Sequence, residues 1–140
     1  MAQRHAIYRE SGHVYQADTC RPLVAASDDG QTSLKAIGRA NYPGERLDAT
    51  DLPGLSSIGV WDAQGRQHWG LDWHRNEGIE LTFLESGTLP WALGDHEFML
   101  KPNDLTISRP WQPHRVGLPT IQASRLHWII VDVGVRSIRH

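Results

Sequence analysis

From Ser57 to Val133 the chain is written in short runs of strand composition. The runs are Ile58–Asp62, Gln67–His74, Ile79–Glu85, Leu89–Leu93, Glu97–Leu100, Asp104–Ser108 and Arg125–Val133. Between them fall Gln64-Gly65, Asn76-Glu77-Gly78, Ser86-Gly87, Gly94-Asp95, Pro102-Asn103 and Gly117-Leu118-Pro119, clusters that break strands and turn the chain. No segment carries a long apolar stripe of 3.6-residue period with caps. Many short strands at close spacing predict an all-β fold, an antiparallel sandwich or barrel. Pro102, Pro110, Pro113 and Pro119 fall at turns or strand ends, where no ladder hydrogen bond is lost.

Residues 1–56 read differently. Ser27-Asp28-Asp29-Gly30, Asn41-Tyr42-Pro43-Gly44 and Asp51-Leu52-Pro53-Gly54 are turn clusters, and periodicity between them is weak. This part is expected to be a loop-rich N-terminal arm, with short strands at Leu23–Ala26 and Ser33–Arg39, packed on a barrel formed by residues 57–140.

Side chains alternate across a strand. In Gln67–His74 this puts His68, Asp72 and His74 on one face and Trp69, Leu71 and Trp73 on the other. In Ile79–Glu85 it groups Glu80, Thr82 and Leu84 against Ile79, Leu81 and Phe83. The polar-containing faces are expected to line a cavity. The apolar faces then need covering, by a second sheet, the arm or another subunit.

Length and charge narrow the class. At 140 residues the chain has the size of one domain. No apolar run approaches ~18–20 residues, so no membrane span is expected, and the N-terminus lacks the apolar middle of a secretory signal. Cys20 is the single cysteine; it has no internal partner, and a reducing cytoplasm is the expected compartment. Net charge is −2 with both signs scattered, without the basic stripe of a phosphate-binding surface. The basic Arg136, Arg139 and His140 are read as a solvated end. Six tryptophans suit a core with one or two indoles at a cavity. No Gly-x-Ser-x-Gly elbow, P-loop or dinucleotide fingerprint is present.

The motif region runs from His74 to His114. Glu80 followed by Gly87 resembles the first cupin motif, with His74 at its first His position and Asn76 where a second His is usual. Lys101-Pro102-Asn103-Asp104, continuing to Pro113-His114, resembles the second motif, Asn103 standing at the usual glycine of the turn. The set Glu80–Gly87, Leu100–Leu105 and Pro110-Trp111-Gln112-Pro113-His114 is most similar to the sensory half of AraC-type transcription regulators, over roughly residues 57–133. The resemblance implies a double-stranded β-helix, or jelly-roll barrel, enclosing a small-molecule cavity. In whole regulators two helix-turn-helix units follow; no recognition-helix pattern occurs in this chain, so DNA contact would belong to residues beyond it.

Three readings of His74, Glu80 and His114 stand side by side. Matching three of four cupin ligand positions, they are a candidate site for a divalent transition metal (Zn, Ni, Fe or Mn), weakened by Asn76. They are equally candidates for contacting an organic effector, or for a hydrogen-bonded structural cluster. His68, Trp111 and Arg109 are further candidate ligand-binding residues, Arg109 for an anionic effector. The expected function is sensing of a small effector, sugar-like molecules included, by a homodimeric domain; the faces carrying Trp69, Leu71 and Trp73, or His127, Ile129 and Val131, are candidate dimer surfaces. The alternative is a small metal-dependent cupin enzyme, a dioxygenase or isomerase, with His74, Glu80 and His114 holding the metal.

Overall fold

The computed structural model describes residues 6–18 and 20–134; the basic end at Arg136, Arg139 and His140 lies outside them. A hairpin of β1 (Ile7–Glu10) and β2 (His13–Gln16) leads into one short helix, α1 (Arg21–Asp28). Ten strands follow: β3 (Ser33–Gly38), β4 (Glu45–Arg46), β5 (Leu55–Ala63), β6 (Leu71–His74), β7 (Ile79–Gly87), β8 (Leu89–Leu93), β9 (His96–Leu100), β10 (Leu105–Ser108), β11 (His114–Val116) and β12 (Ser124–Val131).

The strands form two facing sheets of a jelly roll. One has the order β10-β7-β12-β5-β3-β4 and the other β6-β11-β8-β9. Alternation writes the inner faces directly. Along β12, Ser124, Leu126, Trp128 and Ile130 are buried and the residues between them are half-buried. Trp61, Ala63, Leu71, Leu84, Leu89, Trp91, Val116 and Ile121 complete the core. Close packing rather than propensity decides some positions: Gly59 lies against the Trp128 ring, where a Cβ would collide.

The expected strand at Leu23–Ala26 is corrected to the middle of α1. Pro22 stands at the first turn, where its missing N–H costs nothing, and Leu23 and Ala26 point into the core. The strand expected at Ser33–Arg39 is β3, which pairs antiparallel with β5 across the large sheet. Below it, Arg39 ties down the loop before β5, donating to the carbonyls of Leu55 at 2.7 Å, Asp48 at 2.7 Å and Leu52 at 2.9 Å.

Two bulges set the directions of the side chains that matter most. Between β11 and β6, Val116 pairs with Leu71 and His114 with His74, so β6 carries one extra residue. A bulge inverts the alternation locally. Leu71 and His74 therefore both turn inward, while Asp72 and Trp73 are exposed. This corrects the expected grouping of Leu71 with Trp73 and of Asp72 with His74. Between β12 and β7, Arg125 pairs with Ser86 and Leu126 with Leu84, leaving Glu85 as the extra residue. Glu85 reaches outward to Arg125 and to His127 Nε2, the latter at 3.0 Å.

The outer face of the large sheet is apolar. Register places Ile37, Ile58, Ile129, Leu81 and Ile107 in one row across five strands. The neighbouring row runs Lys35, Val60, His127, Phe83 and Leu105. Ile37, Ile58, Phe83, Leu105 and Ile107 are exposed. Among the described residues no helix is long and apolar enough to cross a membrane.

Candidate functional site

The site forms where β6, β7 and β11 converge on the N-terminal segment. Glu80 points inward from β7, as its alternation requires. His114 enters from β11 and His74 from the bulge in β6. Asn76 lies in the connection between β6 and β7. The structure thus brings together His74, Glu80 and His114, with Asn76 beside them.

Hydrogen bonds assign the protons. His114 Nδ1 lies 2.9 Å from Gln112 O, and His74 Nδ1 lies 2.7 Å from Asp72 O. A carbonyl oxygen only accepts, so each Nδ1 carries hydrogen. His114 Nε2 lies 2.8 Å from Glu80 Oε2. At that distance the carboxylate favours the protonated imidazole, although the two atoms are not aligned as a hydrogen bond. Asn76 Nδ2 donates to the same Glu80 oxygen at 2.7 Å.

The electrostatics agree. Burial opposes the charge on His114, but the Glu80 carboxylate and the Gln112 carbonyl outweigh it, and its pKa is raised. Burial pushes Glu80 up, yet the His114 charge, the adjacent His74 and the Asn76 bond more than compensate, and it is lowered. His74 sits with its ring centroid 4.1 Å from that of His114, edge to face. Burial first, and the His114 charge second, hold it below the ordinary imidazole value, so it is the neutral partner. Trp91 lies parallel to His114 with a 6.0 Å centroid separation.

These residues do not fit a metal as they are arranged. Glu80 Oε2 accepts from Asn76 and lies 2.8 Å from His114 Nε2, and the fourth ligand position is an amide donating a hydrogen bond. Among the described residues, no group of three or more His, Cys, Asp or Glu side chains is placed to hold a metal ion. His74 and His114 keep the carbonyl-anchored orientation that metal-binding histidines use, but the carboxylate serves as counter-ion.

Behind the cluster lies a narrow cavity of about 30 Å³, room for about two waters. His74, Glu80 and Thr82 form its polar side, Trp61, Trp91 and Trp128 its aromatic wall. Cys20, Leu23 and Tyr42 close it from the N-terminal segment. Sequence reasoning missed these three because residues distant in the chain meet there; Pro22 at a helix start is the signal that could have placed Leu23. Burial, with Asp18 adding to it, pushes the Cys20 thiol up, so it is unionised. Tyr42 is likewise raised by burial and then by Glu77, whose carboxylate accepts its hydroxyl hydrogen.

On the other side of His74 an open cleft of about 530 Å³ is lined by Tyr15, Asp18, Trp73, Arg75 and Asp95. Here the β1–β2 hairpin straps the barrel. Arg75 lies over the Tyr15 ring at 3.9 Å, and Tyr8 stacks on Trp111 at 5.3 Å. Asp18 N donates to Arg75 O at 2.9 Å, and Arg75 Nη1 to Trp111 O at 3.1 Å. Trp111, with φ 62°, therefore serves the strap and does not line the cavity. His68 and Arg109 are exposed and line neither space.

The cupin domain family model matches residues 63–130. Solved structures share the fold at low identity. A conserved protein of unknown function from Streptococcus pyogenes is 15% identical, with 73% of this chain and 75% of that one covered, at a TM-score of 0.53. The cupin domain of Cnp3 from Schizosaccharomyces pombe is 12% identical over 73% and 65%, at 0.52. The DMSP lyase DddQ from Ruegeria pomeroyi is 16% identical over 79% of this chain and 52% of its own length, at 0.51. No curated protein matches the chain. Residues 63–130 thus match the cupin domain model, and the fold is like that of the solved cupin structures.

Proposed function

We propose that this chain is the effector-sensing domain of an AraC-type transcription regulator, taking a small organic molecule into the barrel. One observation carries the reading: the cavity wall is shared between the barrel and the N-terminal segment, through Cys20, Leu23 and Tyr42. A small organic ligand needs far more than about 30 Å³, so it enters only if that segment gives way. Occupancy of the cavity and the position of α1 are then linked, and a ligand shifts the population toward the displaced segment. The polar cluster supports the same reading. With Glu80 neutralised by His114 and capped by Asn76, it serves as a fixed, paired wall. DNA contact and dimerisation belong to the proposal too, the first through residues beyond this chain.

The gene itself tests the regulatory role. Reading onward from codon 140, a frame that encodes two helix-turn-helix units supports it. An immediate stop codon overturns it.

A further inference from the structure

Three hydrogen-bond donors around the cavity have no acceptor within the protein. The indole N–H of Trp61, the indole N–H of Trp91 and the Thr82 hydroxyl are buried without a partner, and all three residues line the cavity. They are 2%, 3% and 1% exposed. Trp128, on the same wall, has its acceptor within the protein, donating to Ser57 Oγ at 2.9 Å, whereas the Trp69 indole, away from the cavity, is also without one. Buried donors left unpaired are uncommon, because each has given up a bond to water. Three around one space call for an acceptor in that space.

The rest of the lining says what kind. Leu23, Leu71, Val116, Leu126 and Ile130 make it mainly apolar. The one lining carboxylate, Glu80, is already held by His114 and Asn76. No Lys or Arg is among the lining residues, so nothing there is free to neutralise an anion. We infer that the cavity takes a compact, uncharged molecule with an apolar body and a carbonyl oxygen, a ketone or lactone, whose lone pairs accept from the Trp61 and Trp91 indoles or the Thr82 hydroxyl. The inference rests on the sensing reading and names the ligand chemistry for that same cavity.

The test titrates the full chain with cyclopentanone and, separately, with cyclopentane, the hydrocarbon of the same ring, following the six indole N–H signals by ¹⁵N NMR. Cyclopentanone is expected to move the Trp61 and Trp91 signals downfield and cyclopentane to leave their hydrogen bonding unchanged. Trp91→Phe removes one donor and is expected to weaken the ketone relative to the hydrocarbon by about fivefold. Equal binding of both probes, with no indole N–H response to the ketone, overturns the ligand chemistry and leaves the sensing reading standing. Binding of neither probe, to the natural chain or to Leu23→Ala with its wider cavity, overturns both.

Discussion

His114 Nε2 and Glu80 Oε2 meet at 2.8 Å inside the barrel, as a buried ion pair whose partners shift each other in opposite directions. His114 is raised, so its contribution to stability is complete below the unfolded value of about 6.5 and is lost as pH rises through its folded value. Glu80 is lowered, so its contribution is complete above about 4.3 and is lost as pH falls through its folded value. The pair therefore stabilises the fold most between about pH 4.3 and 6.5. His74 works the other way from His114: being lowered, its contribution is lost on acidification. Glu80→Gln should leave burial opposed only by the Gln112 carbonyl and the Asp18 charge at His114. NMR titration is expected to show its midpoint above about 6.5 in the natural chain and below it in the variant; equal midpoints would remove the ion pair from the account.

Leu23 is the apolar plug between α1 and the cavity, 1% exposed. Leu23→Ala should cost about 2–5 kcal/mol, since the lost packing adds to the space left behind. Urea denaturation measures it. A loss well under 1 kcal/mol (roughly, against that range) would mean that α1 does not seal the barrel.

Gly87 closes β7 with φ +82°, and a Cβ there would collide with Ala123 O. Gly87→Ala should destabilise by more than about 1 kcal/mol, through strain and displacement together. A change in thermal midpoint no larger than that of a surface substitution would show that the turn is softer than its geometry. The same reasoning covers Asn103, which holds φ 73° where the cupin turn usually has glycine; a short polar side chain tolerates that conformation.

The row Ile37, Ile58, Ile129, Leu81 and Ile107 lies outside the core. Ile107 is 57% exposed. Ile107→Lys should therefore change stability by no more than about 0.5 kcal/mol, while lowering the tendency of the chain to associate. Loss of several degrees in thermal midpoint at low protein concentration would show that this face is covered within the single chain.

The strands that alternation describes well were legible in the sequence. β7 and β12 have one buried face each, and Glu80, Thr82 and Leu84 point inward as their spacing requires. Three things were not legible. α1 is only eight residues long, too short for its two buried side chains, Leu23 and Ala26, to declare a helical period. β6 inverts its alternation at a bulge, a long-range adjustment to β11 that no local pattern announces. β11 itself is three residues long and follows Pro113, so it offers too little periodicity to read. Of the candidate site, His74, Glu80 and His114 were recoverable because motif order survives. The closing residues Cys20, Leu23 and Tyr42 were not, since only folding brings them there.

The most direct measurement is hydrogen exchange across the chain, with and without cyclopentanone at saturation. The amide of Val24, bonded to Cys20 O at 3.1 Å, and that of Asp29, bonded to Ala25 O at 3.0 Å, report on α1. If the cavity and the N-terminal segment are linked, filling it should speed exchange at these amides and leave β5, β7 and β12 unchanged. A filled cavity with unaltered exchange along α1 would contradict the link, and with it the sensing mechanism.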